Sequence, residues 1–361
     1  MSKTVIFAPN IHVGGGLVLL KGLIESWPSS MQFNAYLDVR VKGILDLPEL
    51  SNVVWVRNTI FDRLRCDYML SKAVSENDTV TTFNGVPPVF KVQAKLIVFL
   101  QNRILIDDIS HLKFNSRTKL RLTYERFLFR LLRKRVDEFI VQTDTFKSLL
   151  SIWFGSKAVF RSTVPSIKVM PFMQPIDLNI ISVSTLSARE SLAWDFIYVA
   201  DGLPHKSHLM LFDAWEELAR QDLFPSLALT LGPLETELLS KIRELQEMGL
   251  KITNLGYLSH ESLLQQYRQS RALIYPSLQE SFGLPLVEAF HLGLPILASE
   301  LDYVYDVCKP NITFDPTSYR SIARAVGRFL GVNKPVLEVS PPSKFLEYII
   351  SGKNKSVSNV K

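Results

Sequence analysis

Along the first 170 residues, short uninterrupted apolar runs recur between longer stretches in which apolar positions return every three or four residues. Runs without polar alternation suit strands covered on both faces, and the intervening period suits helices. The pattern therefore predicts a parallel sheet wound with helices on both sides. Its strands fall at Thr4 to Ala8, Phe33 to Leu37, Val53 to Val56, Thr79 to Phe83, Leu96 to Leu100, Glu138 to Val141 and Ile167 to Met170. From Pro171 to Ala193 the periodicity breaks up and Ser, Thr, Pro and Asn accumulate, as in a linker. A second alternating set then begins, with strands at Phe196 to Ala200, Leu227 to Leu231, Lys251 to Asn254, Ala272 to Tyr275, Ile296 to Ala298 and Ile312 to Phe314. The fold class is α/β: two Rossmann-like doubly wound domains facing across a cleft, with residues 1–173 forming the first and 194–335 the second. Residues 174–193 link them, and 336–361 form a C-terminal helix and tail. Open α/β sheets bind ligands beyond the carboxyl ends of their strands, so a ligand site is expected in the cleft.

Composition changes this picture little. The 361 residues are 47% apolar and 21% charged, as in ordinary globular domains. Cys66 and Cys308 lie too far apart for a ligand pair or a disulfide framework, so a reducing compartment is expected. Thr4 to Ala8 lacks the features of a secretory signal, and no apolar run reaches about 18 residues. A cytoplasmic location follows as the expectation, with room for peripheral attachment at the inner face of the membrane.

Charge is less even. His111 to Arg135 holds nine Lys or Arg against Glu125 alone, so this segment carries +8 of a net +6 and the rest of the chain −2. Leu122, Arg126, Phe129, Leu132 and Arg133 recur at near-helical spacing, with Phe127, Leu128 and Leu131 adding to the apolar side. Such a helix either rests on an anionic membrane surface through 113–135 or packs on the sheet with a solvated basic edge. No stacking platform accompanies it, so nucleic acid is not an expected partner. There is no Asp-x-Asp for a metal diphosphate, and Glu300-Leu-Asp302, the nearest approach, reads as a surface loop. Neither metal nor cofactor is expected.

The richest stretch is Tyr275-Pro-Ser-Leu-Gln-Glu-Ser-Phe-Gly-Leu-Pro-Leu-Val-Glu. A strand ends near Tyr275, a polar loop follows, and a helix runs from about Pro285 to a C-cap at Gly293. Free N–H groups at that helix start favour an anion, and Gly283 lets a phosphate approach the main chain. Glu288 is the only Asp, Glu, Lys or Arg between Gly283 and Ser299. A carboxylate on so apolar a helix needs a partner: a ligand's ribose diol or, structurally, the helix dipole or a distant Arg. Glu280 lies in the loop, where it accepts hexose hydroxyls or is simply solvated.

Glu280 and Glu288, separated by seven residues around Ser-Phe-Gly-Leu-Pro-Leu-Val, resemble the paired-glutamate signature of family 4 retaining glycosyltransferases with the GT-B fold. Leu255-Gly256-Tyr257, Tyr275-Pro276-Ser277, Gly293-Leu294-Pro295 and Phe314-Asp315-Pro316 follow the family's order. The resemblance implies that Glu288 binds the donor ribose and Glu280 the donor sugar. It also implies that the loop Ser281, Phe282, Gly283 and Leu284 lies beside sugar and diphosphate. Lys206, in Tyr198-Val-Ala-Asp-Gly-Leu-Pro-His-Lys, aligns with the lysine that neutralises the diphosphate and joins Glu280 as a catalytic candidate.

Asp201 replaces the Arg usual five residues before that Lys, and Arg103 or His205 is the candidate substitute. Gly14, Gly15 and Gly16, after His12 and before an apolar helix expected from Leu17 to Trp27, correspond to the family's glycine loop near the donor phosphates and acceptor. Gln101, Asn102 and Arg103 stand where a sugar-contacting His is common and are candidate sugar or acceptor contacts; Thr143 matches a small hydroxyl residue.

The implied activity is transfer of a hexose-type sugar from a nucleotide diphosphate sugar to a glycan or lipid-linked glycan, as in surface polysaccharide or O-antigen synthesis. The alternatives are a non-catalytic sugar-nucleotide or glycan binding subunit and an NAD-dependent oxidoreductase. The latter would use Asp38 as ribose ligand, but Leu19 stands where its third glycine belongs.

Overall fold

The computed structural model describes residues 2–83, 85–110, 112, 114–155, 165–173 and 192–332. Most of the expected linker and the expected C-terminal helix and tail lie outside them.

The N-terminal sheet comprises β1 (Thr4–Ala8), β2 (Phe33–Asp38), β3 (Ser51–Val56), β4 (Thr79–Thr82), β5 (Lys95–Phe99), β6 (Glu138–Val141) and β7 (Ser166–Val169). These run parallel in the order β3-β2-β1-β4-β5-β6-β7. The C-terminal sheet comprises β8 (Trp194–Tyr198), β9 (Leu227–Leu229), β10 (Ile252–Asn254), β11 (Ser270–Tyr275), β12 (Ile296–Ser299) and β13 (Ile312–Phe314). It is also parallel, in the order β10-β9-β8-β11-β12-β13. Both sheets reverse winding direction beside their first strand, between β1 and β4 and between β8 and β11. Such a switch leaves a crevice at the carboxyl ends of the strands.

The two-residue period of a strand explains why the N-terminal sheet has two cores. Val5 and Phe7 of β1 point into one, with Leu96 and Val98 of β5, while Ile6 and Ala8 point into the other, with Leu19, Leu20 and Phe99. The C-terminal sheet buries Phe196, Trp215, Tyr267, Tyr275 and Leu286 in one cluster. The Trp215 indole N–H there donates to the Pro225 carbonyl at 2.9 Å, so its polar atom is not left unpaired.

The helices that shape the crevice are α1 (Gly14–Glu25), α2 (Ile60–Ala73), α3 (Ser116–Leu132), α4 (Asp144–Gly155), α5 (His208–Ala219), α6 (Thr236–Glu247), α7 (His260–Arg268) and α8 (Leu284–His291), followed by α9 (Asp302–Tyr305) and α10 (Tyr319–Phe329). α1, expected from Leu17 to Trp27, starts three residues earlier and ends two residues sooner. The glycine run is therefore not a free loop but the first turn of a helix, entered with Gly14 at φ +67°.

α3 also departs from expectation. Phe129 packs in the sheet's core against Phe139, and Leu122 and Leu132 are also buried, whereas Leu120, Tyr124, Phe127 and Leu131 form a second stripe that is 60–74% exposed. The apolar residues thus occupy two faces. Arg126 is not on a solvated edge, because its guanidinium donates inward to the Ile104 carbonyl; Arg133 lies 4.6 Å from the Trp153 ring. No helix among the described residues is long and apolar enough to cross a membrane.

Candidate functional site

The two sheets meet through the loop between β11 and α8. Ser281 Oγ donates to the Gln101 carbonyl and accepts from the Arg103 N–H at 3.1 Å, so one C-terminal hydroxyl spans two N-terminal backbone groups. Thr143 Oγ1 donates to the Ser281 carbonyl at 3.5 Å, and the Thr145 N–H donates to Asp306 at 3.1 Å. The loop itself is pinned: the Ser277 carbonyl accepts from Tyr303 Oη at 2.7 Å and Ser299 Oγ at 2.9 Å, and the Leu278 N–H donates to the His205 carbonyl at 2.8 Å.

Glu280 therefore projects from a rigid support. Lys206, at the end of the turn Pro204–Lys206 between β8 and α5, places Nζ 2.6 Å from Glu280 Oε1, and Tyr275 Oη donates to the same oxygen at 2.8 Å. The Lys206 and Glu280 side chains are 13% and 10% exposed. Burial, the largest single effect, pushes the Glu280 carboxyl upward, but the Lys206 ammonium, His205 and hydrogen bonds from Lys206 and Ser277 together outweigh it and hold the group below the usual value. Burial first, then Glu280, raises Tyr275 well above an ordinary phenol, which keeps it a donor.

α8 begins beside this pair. Gly283 caps it at φ +78°, a left-handed conformation that favours glycine, and Pro285 sits in the first turn, where its missing N–H costs nothing. The free N–H groups at this end suit an anion. The start of α1 converges on the same place. A Cβ on Gly15 would lie 2.9 Å from Leu284 Cδ1, and one on Gly16 would lie 2.9 Å from Gln101 Oε1. Gly15 thus permits a close approach between the two halves and Gly16 one within the first half, while Gly14 faces open space.

A cavity of about 900 Å³ opens from here into the N-terminal half, within the range of small-molecule sites. Gln101, Asn102, Arg103, Asp201, His205, Lys206, Glu280 and Ser281 stand at its C-terminal end. Two of the expected contacts, and Asp201 in the place of the missing arginine, are tied down. Asn102 Oδ1 accepts from the Ile104 N–H at 3.1 Å, Arg103 Nε lies 2.5 Å from Asp107, and Asp201 Oδ1 accepts from the Leu203 N–H at 3.2 Å. Burial, then Lys206, lowers His205, which disfavours its charged form; Arg103 donates to the Glu280 carbonyl at 3.4 Å, beside the pair.

Glu288 is built differently. It is 3% exposed and is not in the wall of this cavity. Both carboxylate oxygens already have protein partners: His260 Nε2 at 3.1 Å from Oε1, and Tyr267 Oη donating to Oε2 at 3.0 Å. His260 and Tyr267 lie seven residues apart on one face of α7. That spacing is the sequence signal for partners to the lone carboxylate. Asp38, the alternative ribose ligand, is fully buried and held by Arg40 Nη2 at 2.6 Å and by the Arg40 N–H at 3.0 Å, which ties it to the chain itself. Among the described residues, no three His, Cys, Asp or Glu side chains are placed to hold a metal ion.

Comparison with known proteins agrees with this architecture. Residues 188–336 match the model of glycosyl transferases group 1. The serotype-specific mannosyltransferase WbdA of Escherichia coli is 27% identical over 212 residues, 56% of this chain and 26% of that protein. O-antigen chain mannosyltransferase B of Escherichia coli is 28% identical over 140 residues, 37% of each chain. The chain thus spans about a quarter of the length of the first of these relatives. Among solved structures, HepE of Anabaena in complex with UDP and glucose superposes with a TM-score of 0.64 at 15% identity, covering 91% of this chain and 90% of that one. Sucrose-phosphate synthase of Thermosynechococcus elongatus gives 0.65 at 13% identity, covering 92% and 90%. With two parallel sheets meeting through the loop that carries Glu280, the chain has the GT-B fold, and its second half resembles the glycosyl transferases group 1 family over residues 188–336.

Proposed function

We propose that the chain transfers a sugar from a nucleoside diphosphate sugar, bound in its C-terminal half, to a glycan or lipid-linked glycan entering from the N-terminal cavity, with retention of anomeric configuration. The relatives' activity makes mannose the first sugar to test. The observation that carries this reading is the buried Lys206–Glu280 pair beside the start of α8, facing the cleft. In it, Lys206, Arg103 and the free N–H groups at Gly283 and Leu284 take the diphosphate, and Glu280 accepts from the sugar hydroxyls. Ser281, Phe282, Gly15 and Gly16 close the site around the donor; Gly14, Gln101 and Asn102 face the acceptor side. Charge that develops on the departing diphosphate meets cations already fixed in place, which lowers the barrier without reorganisation. Glu288 takes the ribose hydroxyls.

The cavity wall supports an amphipathic acceptor. Arg40, Arg63 and Arg121 stand among Ile60, Leu64, Phe114 and Tyr124, a mixture suited to an anionic head on an apolar chain. The exposed stripe Leu120, Tyr124, Phe127 and Leu131 on the basic helix α3 supports peripheral attachment to an anionic membrane, where such an acceptor would reside.

The test is transfer. Purified protein is incubated with GDP-mannose or UDP-glucose and a bacterial lipid-linked glycan extract, and glycosylated product is followed by mass spectrometry. Product that disappears in Lys206→Ala supports the reading. Donor binding without turnover in any extract moves the chain to a sugar-nucleotide binding role instead.

A further inference from the structure

Glu288 cannot receive a ribose diol as the structure stands. A carboxylate offers about four lone-pair directions, and two of them are taken here by His260 and Tyr267. The other two are hidden, because Glu288 is 3% exposed. A ligand needing both oxygens must therefore displace a neighbour. Tyr267 is fully buried in the C-terminal core and has nowhere to go. The His260 side chain is 42% exposed, lies in the first turn of α7 just after the N-cap Ser259, and points from the surface toward Oε1. It is the part that can move.

We propose that His260 is a positioning residue and gate for the donor nucleotide: it occupies the ribose place on Glu288 in the unliganded protein and swings out when the ribose of a nucleoside diphosphate arrives. The inference rests on the reading of Glu288 as the ribose ligand. Tyr267 remains as the fixed donor that orients the carboxylate throughout.

A gate of this kind is tied to protons. The groups facing His260 are Glu288 from α8, Lys21 from α1, which pairs with Glu25 at 3.6 Å, and the hydroxyl of Tyr267 on its own helix. Its hydrogen bond to Glu288, and then the carboxylate's charge, raise the imidazole above its ordinary value against the opposing effects of burial and Lys21. Donor binding removes that partner, so it releases a proton from a protonated gate. Affinity is then full above the raised value and falls as the pH drops through it.

Isothermal titration of GDP and of UDP, each alone, into wild type, His260→Ala, Tyr267→Phe and Glu288→Gln at about pH 6 and about pH 8 reads this directly. The terminal phosphate of either probe titrates in the same range, so the quantity compared is the ratio of two proteins' dissociation constants at each pH. His260→Ala is expected to bind at least about threefold tighter than wild type at the lower pH and to converge with it at the higher, while Tyr267→Phe keeps the wild-type pH profile. A ratio of wild type to His260→Ala that does not change with pH overturns the gate, as does weaker binding by His260→Ala at both values, which would make His260 a direct ligand contact. If Glu288→Gln binds both probes as tightly as wild type, or if wild type binds neither, the donor assignment itself fails whatever His260 does.

Discussion

The loop after β11 and the helix that follows it each bury one glutamate, and they hold it by opposite means. Glu280 is charged and matched by a cation, Lys206, from another segment of the same half, in a cavity that reaches it. Glu288 is held by an imidazole and a phenol, outside the wall of that cavity. A carboxylate paired with a fixed ammonium sits in a field ready for phosphates. On the proposed reading, one held by a displaceable imidazole and a fixed hydroxyl is stored until a neutral diol replaces the former, and the same residue type serves two subsites because its partners differ.

Removing the cation should break the first arrangement most severely. Lys206→Ala is expected to lower transfer about 10²- to 10³-fold, as for loss of a preorganised charge in other active sites. It should also cost about 3 kcal/mol of stability, because Glu280 is left buried and unpaired. Urea denaturation and initial rates measure the two. The double variant Lys206→Met with Glu280→Gln sharpens the test, with stability recovered and transfer not; recovery of both would move the catalytic charge elsewhere.

Glu288→Gln probes the second arrangement. The amide oxygen still accepts from Tyr267, so folding should change by less than about 1 kcal/mol, while nucleotide affinity falls about tenfold. A large loss of stability with unchanged affinity would make Glu288 a core residue only. Gly283→Ala strikes the junction of the two regions. Forcing a Cβ into φ +78°, 3.1 Å from Leu286 Cδ1, should cost about 1–2 kcal/mol and weaken donor binding, read together by thermal shift with and without nucleotide.

The smallest effect is on pH-dependent stability. His260 is raised in the folded state by Glu288, so its contribution is fully present below the ordinary histidine value and is lost as pH rises through the raised one. The urea midpoint of His260→Ala should therefore fall further below wild type at about pH 6 than at about pH 9. Equal deficits at both would mean that the contact does not titrate.

Much of this was legible in the chain. The expected strands overlap all thirteen observed ones, because doubly covered parallel strands are continuous apolar runs bounded by polar turns. Lys206, Glu280 and the α8 start were marked by local motifs, and the structure brings them together. What could not be read locally was tertiary. The partners of Glu288 lie on another helix, and the start of α1 depended on glycine accepting a conformation that its propensity disfavours. On α3, apolar spacing alone did not reveal that Leu122 and Phe129 are buried while Leu120 and Phe127 are exposed. Two apolar stripes on one helix look like a single broad one until a neighbour defines the inside.

On the proposed assignment, ribose meets Glu288 while phosphates meet Lys206 and the start of α8. The most direct measurement is a thermodynamic cycle by calorimetry, with wild type and Glu288→Gln each titrated with a nucleoside diphosphate and its 2′-deoxy analogue. Loss of the 2′-hydroxyl should weaken wild type about tenfold and leave Glu288→Gln unaffected, because the two changes remove one interaction. An equal loss in both proteins would show that the hydroxyl is bound elsewhere and would contradict the assignment.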